Sequence, residues 1–172
     1  MKRVLFLLGH LDDIDIEWMI NNGYREDLEV GDRLIEQGKT IENLYIVLSG
    51  SLSITDSDTD KHIANIGPGE IVGEMSFLES RPPSVSVIAG ENVSVYAISR
   101  ELMNSRLAAN LEFKANFYYA LALFLSNRLR KTTSQLGYGN PQEEDVIDES
   151  VLDGVSQAGA RFGQILQKFS EV

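Results

Sequence analysis

From Tyr24 to Ile98 the apolar residues come in short, often alternating runs. The runs read YREDLEV, RLIEQ, NLYIVLS, SLSIT, HIANI, IVG, SVSVIA and VSVYAI. Between them stand turn signals: Gly31-Asp32, Gly38-Lys39, Gly50, the polar DSDTD, Gly67-Pro68-Gly69 and Gly90-Glu91-Asn92. Side chains alternate across a strand with a period of two, so this texture predicts seven or eight short strands. Turn signals at this spacing point to an antiparallel sandwich or barrel and not to βαβ units. The acids of Asp56–Asp60 read as a hairpin tip; the glycine and terminal glutamate of an EF-hand calcium loop are missing.

The period changes on either side of this block. Leu11, Ile14, Trp18 and Met19 stand at helical spacing, with acids in the first turn and Gly23 as a stop. Residues 100–136 hold no glycine or proline, and Leu107, Leu111, Phe117, Leu121, Phe124 or Leu125, and Leu129 follow at steps of three and four. They predict a long amphipathic helix, with a break near Ala108-Ala109 splitting off a shorter one. Gly137, Tyr138, Gly139, Asn140 and Pro141 end it. Residues 137–150 are a polar, acidic linker. Over 151–172, Val151, Leu152, Val155, Phe162, Ile165, Leu166 and Phe169 line one face of a terminal helix. Its four small positions, Gly154, Ala158, Gly159 and Gly163, permit close approach, and the three glycines among them weaken the helix when isolated. It is therefore expected to dock on a surface, its own or a partner protein's. Residues 1–99 are expected to hold the N-terminal helix and the strand-rich body, and 100–136 the long helix.

Charge sharpens this division. The net charge of −11 is spread as −10 over residues 1–99, +4 over 100–136 and −5 over 137–172. An acidic body, a basic middle and an acidic tail are expected to meet one another. Glu143, Glu144, Asp145, Asp148 and Glu149 are suited to lie on Arg128, Arg130 and Lys131; those bases equally suit the C-terminal end of a helix dipole. The acidic surplus argues against DNA or an anionic membrane as partner. With no cysteine, thiolate metal sites, disulfides and cysteine nucleophiles are excluded. The two histidines, His10 and His62, do not cluster as a cupin-type metal enzyme requires, and no nucleophile–base pairing, P-loop or Rossmann fingerprint appears. No metal, no cofactor and no enzymatic activity are expected. The apolar run Val4–Leu8 is too short for a signal peptide or a membrane span, so the expected location is the cytoplasm.

The segment Gly67–Ala89, GPGEIVGEMSFLESRPPSVSVIA, follows VGDRLIEQGK and LYIVLSGSLSI. In their order and spacing Gly31, Gly38, Gly50, Pro68-Gly69 and Gly73-Glu74 resemble the cyclic-nucleotide-binding domain family, the sensor module of catabolite-activator-like regulators. The resemblance implies a mainly β fold with helices: an antiparallel β-roll (jelly roll), then a long amphipathic helix, to which the residue pattern adds the short C-terminal one. It also implies a phosphate-binding cassette made of Gly73, Glu74, Met75, Ser76, Arg81 and Ser84. In it Gly73 allows a tight approach, Glu74 accepts from a ribose 2′-hydroxyl, and Ser84 lies near the phosphate. The family's phosphate-binding arginine stands nine or ten residues after the glutamate. Here those positions hold Pro83 and Ser84, while Arg81 comes early and is followed by Pro82-Pro83.

Losing that charge-assisted bond costs about 1.5–3 kcal/mol, and a proline in the cassette removes an N–H. Two readings stand: Arg81 swings into the phosphate site, or the pocket no longer takes a phosphate. Glu74 also suits the first turn of a helix for its charge alone, and Arg81 also reads as a solvated loop residue. The resemblance further implies a homodimer through the long helix, with Phe117, Leu121, Phe124 and Leu125 as its contact. About 35 residues follow that helix, so no DNA-reading domain is expected. The function implied is a non-catalytic regulatory or adaptor protein with weak or no cyclic AMP or cyclic GMP binding. The alternative is a working cyclic AMP sensor in which Arg81 replaces the usual arginine.

Overall fold

The computed structural model describes residues 9–138, 167–169 and 171. Val4–Leu8, the acidic linker from Gly139 onwards and most of the C-terminal amphipathic segment lie outside them. In chain order the elements are α1 (Asp13–Asn21), β1 (Gly23–Leu28), β2 (Arg33–Ile35), β3 (Asn43–Ser49), β4 (Leu52–Asp56), β5 (Lys61–Ile66) and β6 (Ile71–Val72). Then come α2 (Glu74–Glu79), β7 (Ser86–Ala89), β8 (Val93–Ser99), α3 (Arg100–Ala109) and α4 (Leu111–Gln135). Eight strands form, the upper of the two expected numbers. They make two four-stranded antiparallel sheets, β1-β8-β3-β6 and β2-β7-β4-β5, packed as a β-roll.

The texture of β3 and β8 explains the layering. Both are apolar nearly throughout, NLYIVLS and VSVYAIS, because both of their faces are covered. Leu44, Ile46 and Leu48 of β3, with Tyr96 and Ile98 of β8, face the helices and join Met19, Leu107, Phe113, Phe117 and Leu121 in one core. Tyr45 and Val47, with Val93, Val95 and Ala97, face the other way and meet Ile35, Leu52, Ile66 and Val87 in a second core between the sheets. The β4–β5 hairpin runs through Asp56–Asp60 as the sequence suggests, with Asp58 N–H and Thr59 Oγ1 donating to the Asp56 carboxylate. Gly50 turns β3 into β4 with φ of +79°, and a Cβ there would sit 2.4 Å from the Asn92 carbonyl oxygen. That turn has room only for glycine.

Asp12 caps α1 by accepting from Asp15 N–H at 2.8 Å. Ile14, expected on the inner face of this helix, turns outward at 70% exposure, while Ile16 and Met19 take the core positions. The break after β8 falls at Asn110, whose side chain accepts from Phe113 N–H and so starts α4. The basic segment does meet the acidic body. Arg106 of α3 reaches the buried Asp15 of α1 at 3.3 Å, and its guanidinium lies over the rings of Trp18 and Phe113. Burial is the largest effect on Asp15 and raises its pKa, with the Arg106 bond opposing it. Among the described residues no helix is long and apolar enough to cross a membrane.

Helix α4 corrects the expected contact surface. Phe117, Leu121 and Phe124 are fully buried against the β-roll of their own chain, because the helix must cover the outer face of β3 and β8. Leu125 is half-buried beside them. A second side of α4 carries Leu111, Ala115, Tyr118, Ala122, Leu125, Leu129 and Thr132, continued by the C-cap residue Leu136, separated by steps of four and three in strict alternation. Apart from Leu125 these residues are exposed. The helix is therefore apolar on two faces, and the single stripe read from the sequence mixes them.

Candidate ligand-binding site

Between the inner sheet face, α2 and the end of α4 lies a cavity of about 280 Å³. Ile35, Ile41, Ile54, Ile66, Val72 and Val87 form its apolar side. All six expected cassette residues (Gly73, Glu74, Met75, Ser76, Arg81 and Ser84) stand on its wall, joined by Glu79, Pro82, Pro83 and Arg128. Local geometry explains how α2 is placed. Gly73 has φ of +90°, and a Cβ there would come within 3.3 Å of the Asn43 carbonyl oxygen. That left-handed turn takes the chain straight from β6 into the helix. The end of α2 is closed by Ser80, also left-handed, whose N–H bonds the Ser76 carbonyl.

The cassette residues differ sharply in burial. Glu74 is 3% exposed and Ser76 is buried, whereas Met75, Arg81 and Ser84 are exposed. A carboxylate so deep requires a cation, and it comes from the C-terminal half of α4. Arg128 Nη1 donates to Glu74 Oε1 at 2.5 Å, and Nη2 donates to the Ile71 carbonyl at 3.2 Å. The same guanidinium lies 4.6 Å from the centre of the Phe124 ring. Arg128 thus ties β6, α2 and α4 together at the mouth of the cavity. Burial raises the Glu74 pKa as the largest effect; the Arg128 charge opposes it and Glu70 adds to it.

Arg81 is on the wall but exposed, and among the described residues it makes no ion pair. Pro82 and Pro83 follow it with no N–H to offer. The residue that sequence reasoning missed is Arg128, which was grouped with Arg130 and Lys131 as a basic helix end. A signal for it exists: Arg128 follows Phe117, Leu121 and Phe124 at helical spacing, so it is a charge placed on the buried stripe.

Comparisons with known proteins place the fold in a family. Residues 25–110, half of the chain, match the family model of the cyclic nucleotide-binding domain. The chain belongs to that family. Among curated relatives, the Cyclic AMP receptor protein of Thermus thermophilus is 33% identical over 114 residues, 60% of this chain and 51% of the relative. The CRP-like protein Clp of Xanthomonas campestris is 31% identical over 128 residues, 72% of this chain and 56% of the relative. The chain thus spans about half the length of these relatives. Among solved structures, the Thermus thermophilus Catabolite Activator Protein superposes with a TM-score of 0.63 at 26% identity, over 77% of this chain and 62% of the other.

Proposed function

We propose that this chain is a non-catalytic regulatory or adaptor module with a degenerate phosphate cassette, in which the pocket speaks to helix α4 through Arg128. One observation carries the reading: the buried carboxylate of the cassette, Glu74, is held by an arginine of the long helix at 2.5 Å. Whatever enters the cavity meets Glu74, and whatever perturbs Glu74 is felt by α4. The cassette offers a cyclic phosphate little in return. Its expected cation position holds Pro83, its rim cation Arg81 is exposed, and its half-buried cation Arg128 is engaged by Glu74. Millimolar cyclic AMP or cyclic GMP is therefore expected to leave the melting temperature unchanged. The second reading, a cyclic AMP sensor using Arg81, draws support from the place of Arg81 on the cavity wall. A thermal shift with cyclic AMP that Arg81→Ala abolishes would replace the first reading with the second.

The module acts as a homodimer through the outer face of α4. A four-three repeat from Leu111 to Leu136, apolar except at Thr132, is a coiled-coil seam, and a seam of this kind complements a second copy of itself in parallel register. Ala115 and Ala122 allow close approach, while Leu125 and Leu129 supply the bulk. Sedimentation of the full chain is expected to give a dimer. Leu125→Glu with Leu129→Glu is expected to give a folded monomer, since a charge facing its own copy at the seam is both desolvated and repelled. A wild-type monomer, or a variant that stays dimeric, counts against this surface.

A further inference from the structure

The apolar side of the cavity is built from the core between the sheets. Each strand of the β2-β7-β4-β5 sheet turns one aliphatic side chain into it, Ile35, Val87, Ile54 and Ile66, and Val72 of β6 and Ile41 before β3 complete it. Apart from Ile54, which is half-buried, all are core residues at most 9% exposed. All six are β-branched and stiff at χ1, so the space they enclose keeps its shape. A water needs roughly two to four polar partners, and this side provides aliphatic carbon, so it favours an apolar occupant over water.

Charge points the same way. Glu74 and Arg128 are closed on each other, and the two other titratable groups on the wall, Glu79 and Arg81, are exposed and of opposite sign. A ligand of either charge gives up its hydration and gains only a water-screened contact at the rim. Size sets the last limit. At about 30 Å³ per non-hydrogen atom, the liquid-water value, a cavity of about 280 Å³ holds roughly nine such atoms, one ring with a short substituent. A rigid ring also loses less rotamer freedom on entry than a chain of the same carbon count.

We propose that the cavity takes an uncharged, compact hydrophobe of one ring, held by the aliphatic side chains between the sheets with any small polar substituent toward the exposed rim of Ser84 and Arg81. This rests on the reading of the cassette as one that no longer holds a phosphate, and it makes no use of Glu74, whose pair with Arg128 stays closed. Occupancy extends the core between the sheets and so stabilises the roll beneath α2.

The test is an NMR titration of the full chain, labelled at the isoleucine Cδ1 methyls, with 4-methylphenol as probe to about 10 mM, a range suited to a ligand of so few atoms. The methyls of Ile35, Ile41, Ile54 and Ile66 are expected to shift together along one saturable curve. Those of Ile46 and Ile98, on the helix side of β3 and β8, are expected to stay in place. The anionic 4-methylbenzoate and the cationic 4-methylbenzylamine are expected to bind at least about tenfold more weakly, since each carries a charge that must leave water. Ile54→Phe, which fills the cavity from its half-buried wall, is expected to abolish the shifts. No shift, or shifts spread over both cores, overturns the inference and leaves the adaptor reading standing. Equal binding of either charged probe overturns the claim of an uncharged ligand. Shifts that survive unchanged in folded Ile54→Phe overturn the location; should that variant not fold, the methyl map of the wild-type chain decides alone. Cyclic AMP in the same assay is expected to move none of these methyls. If it moves them, the degenerate cassette falls, independently of what 4-methylphenol does.

Discussion

Replacing Arg128 with methionine is expected to destabilise the protein by about 2–4 kcal/mol at neutral pH. Removing one partner of a buried ion pair leaves an uncompensated charge, at about 3–5 kcal/mol for a fully dry pair. The Arg128 side chain is 28% exposed, so water recovers part of that loss, and methionine keeps some of the packing on Phe124. The pH dependence distinguishes this cause from simple loss of packing. Burial already holds the Glu74 pKa above the ordinary glutamate value, with Arg128 pulling against it. Without Arg128 the pKa rises further. A carboxyl whose folded pKa is raised contributes its stability in full below its unfolded pKa and loses it as pH climbs through the folded one. The variant therefore loses stability over a wider span than wild type, and the gap between them opens as pH rises above the ordinary glutamate range.

Asp15, also raised, lowers stability in the same direction in both proteins and cancels in the difference. Urea unfolding of both proteins between about pH 4 and pH 8 measures the gap. A gap of constant size would mean that Arg128 acts by packing alone. Adding Glu74→Gln to the variant is expected to return at least half of the loss, because the buried charge is then gone.

That pair also shows where sequence reading succeeded and where it stopped. The β-roll was legible because its strands carry a local signal. Gly31, Gly38, Gly50 and Gly73 all adopt positive φ at the turns, and β3 and β8 are apolar nearly throughout because both faces are covered. The meeting of a basic middle with an acidic body was legible from charge alone, and Arg106–Asp15 and Arg128–Glu74 are its contacts. Which arginine meets which acid was not. That depends on how far α4 runs back over the roll, and its direction is set by the turn at Asn110 and the packing of Phe113, Phe117 and Phe124. The two faces of α4 were merged for a related reason. Steps of three and four fit an inward stripe and an outward seam equally well, and only the roll says which one is covered. Ile14 failed similarly: a nine-residue helix offers too few turns for periodicity to fix its buried side.

The largest single side-chain effect is expected from a residue near the C-terminus, Phe169→Ala, at about 3–5 kcal/mol. Phe169 belongs to the helical stretch Gln167–Phe169 and is completely buried. Its ring meets Tyr96 edge-on at 4.4 Å, within the core that α1, β3, β8 and α4 share. The amphipathic tail was expected to dock on its own roll or on a partner; at Phe169 the surface is that of its own chain, so this ring is not available to a partner. Tyr96 is itself fixed, with its hydroxyl donating to the Met19 and Ile20 carbonyls and its pKa pushed up to about 12 by burial. The socket is thus rigid and cannot collapse to fill the hole, the condition under which a large-to-small change costs most. Domain stabilities are roughly 5–15 kcal/mol, so the loss takes a third or more of the total in most cases. Phe169→Leu keeps most of the volume and is expected to cost about 1–1.5 kcal/mol, while Glu171→Ala, exposed one turn-half away, is expected to change stability by less than about 0.5 kcal/mol. Urea unfolding of the three variants measures the series. Equal midpoints for Phe169→Ala and wild type would mean that the tail leaves the roll without consequence, and the core would then close without its last aromatic ring.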